Sequence, residues 1–481
     1  TNGAVQIDGA FNLNSGTLNL VNGGTLINLN NNWRGGTIAG GAPLVLGVTP
    51  GDTTLNLSGA ADKTLATLTL DMNLNDINAS GSGNLVLANG ATIDNTGGLS
   101  FIHSGNGDII GTGTFINSGG LFRNLSGQTE IGPNVEFIND AVSTVLVDSG
   151  RLVMRDGVTS APDLGIYNVG AGGVLEIAAD RTFGDNVDGI LSSFGTIHVS
   201  GTATATMALP SGQLVTNGLV VDAAATLAGN PVTVLSAFQW DGGALPGQLT
   251  TASGSRMLVT AAAATLPLIS NINGDVFLAN PLATDLDLNG NTLQLVNGSI
   301  LSGVGIVRGN VDNNSGVVIA GGVDNPDILT IDGNYSQGAG SALVVEVFNN
   351  GFTTVSDQLV VVNGTTNLGG GALVIGFKTN SLGLVTSNFI PLDPQGGISG
   401  NFTRIFDAGG NILFLDFNAG VFTVLGTTPK IPDAVIDDLI SFARESEAFA
   451  EAVASNKSEA EQVMEELLDN KEQEQGSLVC N

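Results

Sequence analysis

The sequence predicts an all-β protein, a right-handed parallel β-helix (β-solenoid) with a short α-helical C-terminal tail. Three observations carry that prediction. Short apolar-polar alternations such as Phe11-Asn-Leu13, Leu55-Asn-Leu57 and Leu85-Val-Leu87 recur from Ala4 to about Leu425, and period two is the signature of strands. Asn-Gly, Ser-Gly, Gly-Gly and Asn-Asn pairs punctuate them, and the 69 Gly and 48 Asn of the 481 residues supply the positive-φ positions that frequent turns require. Finally, no 3.6-residue period is seen before residue 432, so crossover helices and α/β folds are excluded.

Internal repeats choose among the all-β architectures. The only two Trp open matching octets, Trp33-Arg-Gly-Gly-Thr-Ile-Ala-Gly40 and Trp240-Asp-Gly-Gly-Ala-Leu-Pro-Gly247, and 240 minus 33 is an offset of 207 residues. Phe11-Asn-Leu-Asn-Ser-Gly-Thr-Leu-Asn-Leu20 recurs in longer form from Phe137 to Met154. A propeller would carry an aromatic signature in every blade, which 24 unevenly spread aromatics do not provide. Stacked coils of about 20 residues fit better, giving about 20 coils and a rod on the order of 100 Å. Leu, Val and Ile fill the bore, and Asn at the corners is expected to stack into hydrogen-bonded amide columns.

Three regions follow: residues 1–298, coils with internal repeats; 299–426, a second set of coils; and 427–481, an acidic helical tail. From Pro432 the tail holds 13 acids against Arg444, Lys457 and Lys471. Its apolar residues Val435, Ile436, Leu439, Ile440, Phe449 and Val453 take helical spacing, with Pro432 at the first turn. Ser458-Glu-Ala-Glu461 reads as a capping box opening a second helix with Val463, Met464, Leu467 and Leu468 on one stripe.

Charge and cysteine bound the function. With 44 acids, 14 bases and a net charge of −30, the chain lacks the clustered Lys and Arg that binding to nucleic acid or to anionic lipid requires. No apolar run is long enough for a membrane span: Met257 to Ser270 contains Pro267 and falls short of about 20 residues. Cys480 is the single cysteine, so no internal disulfide forms. The chain opens at Thr1 with no start Met or signal, and is expected to be a processed or truncated piece of a longer product.

Residues 299–377 resemble the repeat of autotransporter passenger regions and of filamentous-haemagglutinin-like exoproteins of two-partner secretion. The run is Leu301-Ser-Gly-Val-Gly-Ile-Val-Arg-Gly-Asn-Val311, Asn314-Ser-Gly-Val317, Leu329-Thr-Ile-Asp-Gly-Asn-Tyr-Ser-Gln337, Leu343-Val-Val-Glu-Val347, Asp357-Gln-Leu359 and Asn367-Leu-Gly-Gly370. Ile398-Ser-Gly-Asn-Phe402 to Val424 looks like the closing coils of such passengers, and the Trp and Ser-Gly units upstream look like coils of the same adhesins. The resemblance implies export through an outer-membrane β-barrel transporter and display at the bacterial cell surface, as an adhesin for cells, matrix or glycans. No translocator barrel follows residue 426, which favours two-partner secretion, and no amino-terminal secretion domain is recognisable. Some members of the group keep a C-terminal cysteine pair for retention; here Cys480 alone is the candidate anchor.

β-Helices also carry polysaccharide lyases and hydrolases, which need a cationic base with carboxylate-bound Ca²⁺, or paired carboxylates. Asp285 and Asp287 share a strand face, and Asp185 with Asp188 and Asp324 with Asp327 flank turns, but no base is placed beside them in the sequence. They read as solvated acids. His103 and His198 lie in different coils without metal-ligand spacing and read as surface or partly buried residues. Gly369-Gly-Gly371 reads as a corner, since no Lys-Ser/Thr and helix follow. The expectation is therefore a non-enzymatic adhesin with no catalytic residue, metal or cofactor. A filament or sheath subunit is the alternative, and a glycan-degrading enzyme a third.

Overall fold

The computed structural model describes residues 5–7, 11–26, 31–47, 53–73, 75–96, 100–156, 163–184, 191–209, 212–279, 284–321, 326–349, 354–379, 390–407, 412–418 and 421–428. The described residues form an all-β parallel solenoid with no helix. They fall into two compact units, Thr1–Thr233 and Val234–Asn481. The tail helices expected beyond residue 431 and Cys480 lie outside the described residues.

In unit one a turn is built from three short strands. Leu44–Leu46, Thr54–Leu57 and Lys63–Ala66 make one turn; Thr69–Asp71, Asp76–Ala79 and Leu85–Ala88 make the next. Each strand pairs in parallel with its equivalent one turn on, as in Leu70↔Leu44, Asp76↔Thr54 and Leu85↔Lys63. Thr17 aligns with Thr37 and Thr37 with Thr64, so successive turns take 20 and then 27 residues. In unit two Leu343 aligns with Leu373 and Leu359 with Leu392, which is 30 and 33 residues. Turns are therefore fewer and larger than 20 residues apiece implies, because loops of varied length are inserted at corners while strand register is kept.

Inward positions alternate along each strand and form columns. Ile77, Phe101, Phe122, Val145 and Tyr167 are in register and buried. Phe101 stacks on Phe122 at 5.5 Å and Phe115 on Phe137 at 5.4 Å, with edge contacts between the two pairs, so four rings fill the bore of neighbouring turns. The expected amide column is present. Buried Asn95 donates to Asn117 Oδ1 (2.6 Å), and Asn117 donates to Asn139 Oδ1 (2.8 Å). Each also donates to a carbonyl of the following turn, at Leu121, Thr144 and Ile166.

The glycine content has a second cause besides turns. Gly81 and Gly105 do not carry positive φ; a Cβ there would press into the carbonyl of Gly59 or Gly81 in the turn before. Gly127 and Gly150 continue the same corner. The corner columns bring backbone onto backbone, and only glycine fits. Gly369-Gly-Gly371 is a corner as expected, between strands Thr366–Leu368 and Ala372–Thr379, with positive φ at Gly370 and Gly371.

The Trp octets mark one corner device in each unit. Trp33 and Trp240 are buried, and their indole N–H groups donate to the carbonyls of Gly36 (3.3 Å) and Gly243 (2.7 Å), three residues on. The ring fills the bore while its polar edge satisfies the turn.

Unit one also buries a charged centre that the sequence reading missed. Arg181, with its side chain 1% exposed, pairs with Asp156 (2.7 Å) and with Asp163, and donates to the Phe137 carbonyl (3.1 Å). Tyr167 donates to Asp163 (2.9 Å), and the guanidinium lies over the rings of Phe137 and Phe183. Burial opposes the charge of Arg181, yet Asp163, Tyr167 and Asp156 outweigh it and hold its pKa well above the ordinary value. Burial pushes the Asp156 carboxyl up.

In unit two the parallel ladder ends at Arg404–Asp407, in register with Ala372–Thr379. The expected closing coils are replaced beyond it by an antiparallel pair, Ile412–Asn418 with Val421–Thr428.

Three outcomes are expected from this architecture. Asn117→Ala leaves buried Asn139 Oδ1 without its donor and is expected to lower stability by about 1–3 kcal/mol, read by urea unfolding. Gly105→Ala is expected to cost about 1–3 kcal/mol in the same assay through overpacking, although its φ suits alanine. Arg181→Met leaves two buried carboxylates unpaired and is expected to cost about 3–5 kcal/mol, well beyond the loss from Arg308→Met on the exposed face.

Candidate ligand-binding face

One ladder of unit two turns a polar outer side to solvent. It comprises Thr284–Leu295, Gly305–Asn313, Ile328–Asp332 with Tyr335–Gln337, Gln358–Val362 with Thr366–Leu368, and Leu392–Pro394 with Ile398–Gly400. Inward positions carry Leu286, Val307, Ile331, Val361 and Leu293, all buried. The alternating positions are therefore outward, and they bear Asp285, Asp287, Arg308, Asp312, Asp332 and Asp393.

Parallel register brings these groups together. Arg308 sits one turn from Asp285 and Asp287. Its guanidinium donates to both Asp285 oxygens at 2.7–2.9 Å and to Asp332 at 3.0 Å in the turn beyond. Asn363 donates to the other Asp332 oxygen (2.8 Å). The bidentate contact with Asp285, then the charge of Asp332, raises the Arg308 pKa further. The reading that no base stands beside these acids is corrected here: Arg308 is 23 residues from Asp285 in sequence but one turn away in space. Asp287 instead accepts the Asn289 amide (2.7 Å) and stabilises a turn whose Asn289 has φ 52°.

Beside the ion pairs runs a neutral ladder. Asn334 donates through its backbone and its amide to Asn310 Oδ1, both at 3.0 Å, and Thr365 donates to Asn334 Oδ1. Ser336 donates to Asp312, whose other oxygen accepts from Asn314 (3.0 Å). Side chains are thus held in fixed rotamers by their copies one turn away. The result is a preorganised array rich in acceptors.

Of the remaining candidates, Asp327 is placed by its backbone. Asp327 donates its backbone N–H to Asp357 (3.1 Å), while Asp324, Asp185 and Asp188 lie outside the described residues. Asp357, buried and 1% exposed, also accepts the Glu346 amide (2.9 Å), so it ties three segments of unit two together. Burial chiefly, with help from the Glu346 and Asp327 charges, pushes its pKa up to about 8. The motif Asp357-Gln-Leu359 thereby acquires a physical reason. Sequence reading passed over Asp357 because its partners lie 30 residues upstream and 11 residues upstream.

The two histidines occupy different turns and are more buried than expected. His103 binds the Thr129 hydroxyl through Nδ1 (2.7 Å), and burial draws its pKa down to about 4, so it is neutral at physiological pH. His198 receives an Arg151 N–H at Nδ1 (3.3 Å) and faces Asp222 through Nε2 (3.0 Å), which assigns the proton to Nε2. Arg151 also holds Glu176 (2.7 Å), which accepts from Ser200 (2.6 Å). Among the described residues no three His, Cys, Asp or Glu are grouped to hold a metal ion, and no helix is long and apolar enough to cross a membrane.

No family of known proteins matches the chain, and no curated protein matches it.

The sign of the Asp357 effect is testable. A carboxyl whose folded pKa is raised contributes stability that is complete below its unfolded value near 3.8 and is lost as pH climbs through about 8. Measured against Asp357→Asn, the wild-type protein is expected to lose relative stability steadily between about pH 4 and pH 8. A flat difference across that window would count against a buried, proton-holding Asp357.

Proposed function

We propose that the protein is a non-enzymatic bacterial surface adhesin, secreted through an outer-membrane transporter of the two-partner type. The polar ladder of unit two is its ligand-binding face. The single observation that carries this reading is the preorganised row of amides, hydroxyls and carboxylates from Asp285 to Ser399, rich in acceptors. Such a surface suits hydroxyl-rich glycans or basic protein segments, which supply donors along a line. Acidity over the whole chain, −30, adds attraction for cationic partners. Asp285, bidentate to Arg308, is committed to an ion pair, which favours binding over glycan hydrolysis. The antiparallel pair after Asp407 favours a terminated solenoid over an end-to-end filament.

Retention at the cell surface is assigned to the tail, with Cys480 as anchor. Cys480→Ser is expected to shed the protein into the medium of an expressing cell, and unchanged retention would remove that role.

For the binding face, full-length protein is passed over immobilised neutral glycans, acidic glycans and a basic matrix protein. Asp312→Asn combined with Asn334→Ala is expected to weaken binding at least about tenfold with an unchanged circular dichroism spectrum. Binding to the basic protein is expected to fall as salt rises from about 0.05 to 0.5 M, as the Debye length shortens. Wild-type affinity in the double variant for every ligand would reject this face as the site.

A further inference from the structure

In unit one an inward column breaks its own pattern. Gly36, Lys63, Leu85, Ile109 and Ile131 are equivalents in successive turns, so Lys63 holds a place that the later turns fill with apolar side chains. It is only 1% exposed. Its ammonium turns back to the glycine corner and donates to the carbonyls of Gly59 (3.0 Å) and Gly83 (3.3 Å), which belong to adjacent turns. An ammonium has three N–H donors, and the described residues take two of them. A buried donor left without an acceptor is costly, so the third calls for a partner.

The bore leaves room for one. Leu57, Ala79 and His103 are equivalents on the strand that enters this corner, and Ala79 is the short member of the three. A cavity with about 10 Å³ open to the centre of a water molecule lies there, lined among others by Lys63, Ala79, Gly81, Gly83, His103 and Gly107. That volume matches a single water. The chemistry of the lining agrees. Lys63 brings a donor, and the glycine corner brings backbone carbonyls. His103 is already committed, to the Thr129 hydroxyl through Nδ1 and to the Gly107 backbone. A second cation would be repelled by the ammonium, and an anion would meet carbonyl oxygens. Burial draws the Lys63 pKa down while the charge of Asp62 opposes the fall.

We propose that this cavity is a binding site for one internal water, which accepts the third Lys63 N–H and donates to carbonyls of the glycine corner. The water supplies the hydrogen bond that solvent gives a surface ammonium, and so allows a lysine in an otherwise apolar column. The entering column continues from His103 to Asn124, which is buried and whose amide has neither nitrogen nor oxygen bonded among the described residues. Unmet polar demand in this part of the bore thus extends beyond Lys63. The site is independent of the adhesive reading.

Two measurements on the full chain test it. In a crystal structure at about 1.5 Å, a single density peak is expected about 2.7–3.2 Å from Lys63 Nζ. Urea unfolding of Ala79→Val, alone and combined with Lys63→Met, reads the energetic side. Valine suits a strand, and its added methyl groups take the place of the water. Alone, Ala79→Val is expected to raise the unfolding equilibrium constant about tenfold, because the ammonium loses an acceptor. With Lys63→Met present, the same change is expected to leave that constant unchanged or to lower it. Stabilisation by Ala79→Val alone would mark the cavity as dry, and an equal loss in both backgrounds would mark plain overpacking; either result overturns the site. So does an ordered Lys63 with no peak beside it, a test that holds even if Lys63→Met fails to fold.

Discussion

Parallel register at about 4.8 Å is the constraint on which the rest of this structure depends. Every side chain in a turn sits against its equivalent in the next, so each position must tolerate what stacks on it. Asn117 satisfies the rule with an amide that accepts from Asn95 in the turn before and donates to Asn139 in the turn after. Phe101 with Phe122, and Phe115 with Phe137, satisfy it by ring stacking. At the corners the stacked objects are peptide groups, and Gly81 and Gly105 are glycine because a Cβ would press into the carbonyl of the glycine one turn before.

The same rule disposes of charge. A carboxylate in a stacked column meets either another carboxylate or a base one turn away, and both occur. Asp94 is in register with Asp71 one turn before, and burial first and then the charges of Asp71 and Asp140 raise its pKa. Arg308 instead bridges Asp285 and Asp332, while Arg181 carries two buried acids in the bore of unit one. A buried pair of this kind is weak evidence for extra stability, since hydrophobic replacements often serve as well. Asp156 and Asp163 both accept from Arg181, and Tyr167 donates to Asp163.

Unit two separates its two outer surfaces by chemistry. One ladder exposes amides, hydroxyls and carboxylates; the other buries Leu258, Phe277, Ile319, Val344 and Val374 together with Ser302 and Asp275 on its outer side. Under the proposed adhesive role, recognition on the wet ladder would draw on the regular spacing of its polar groups. Rigidity suits that task, because side chains locked by their neighbours lose little entropy when a ligand binds.

Period two and the Gly and Asn punctuation determined the all-β class from sequence alone, because both signals are local: they depend on a residue and its immediate neighbours. The repeated Trp octets determined that one corner recurs, though the reason, an indole closing the turn at Gly36 and Gly243, needed coordinates. Only the tertiary structure decided the size of each turn, since corner loops lengthen without disturbing the strand pattern. It alone paired Arg308 with Asp285, Arg181 with Asp156 and Asp163, and Asp357 with the amides of Asp327 and Glu346. Those partners lie 11 to 30 residues apart in the chain. A winding of the backbone, or for Glu346 the antiparallel return of Thr354–Ser356, brings them into contact, and no local pattern records its length.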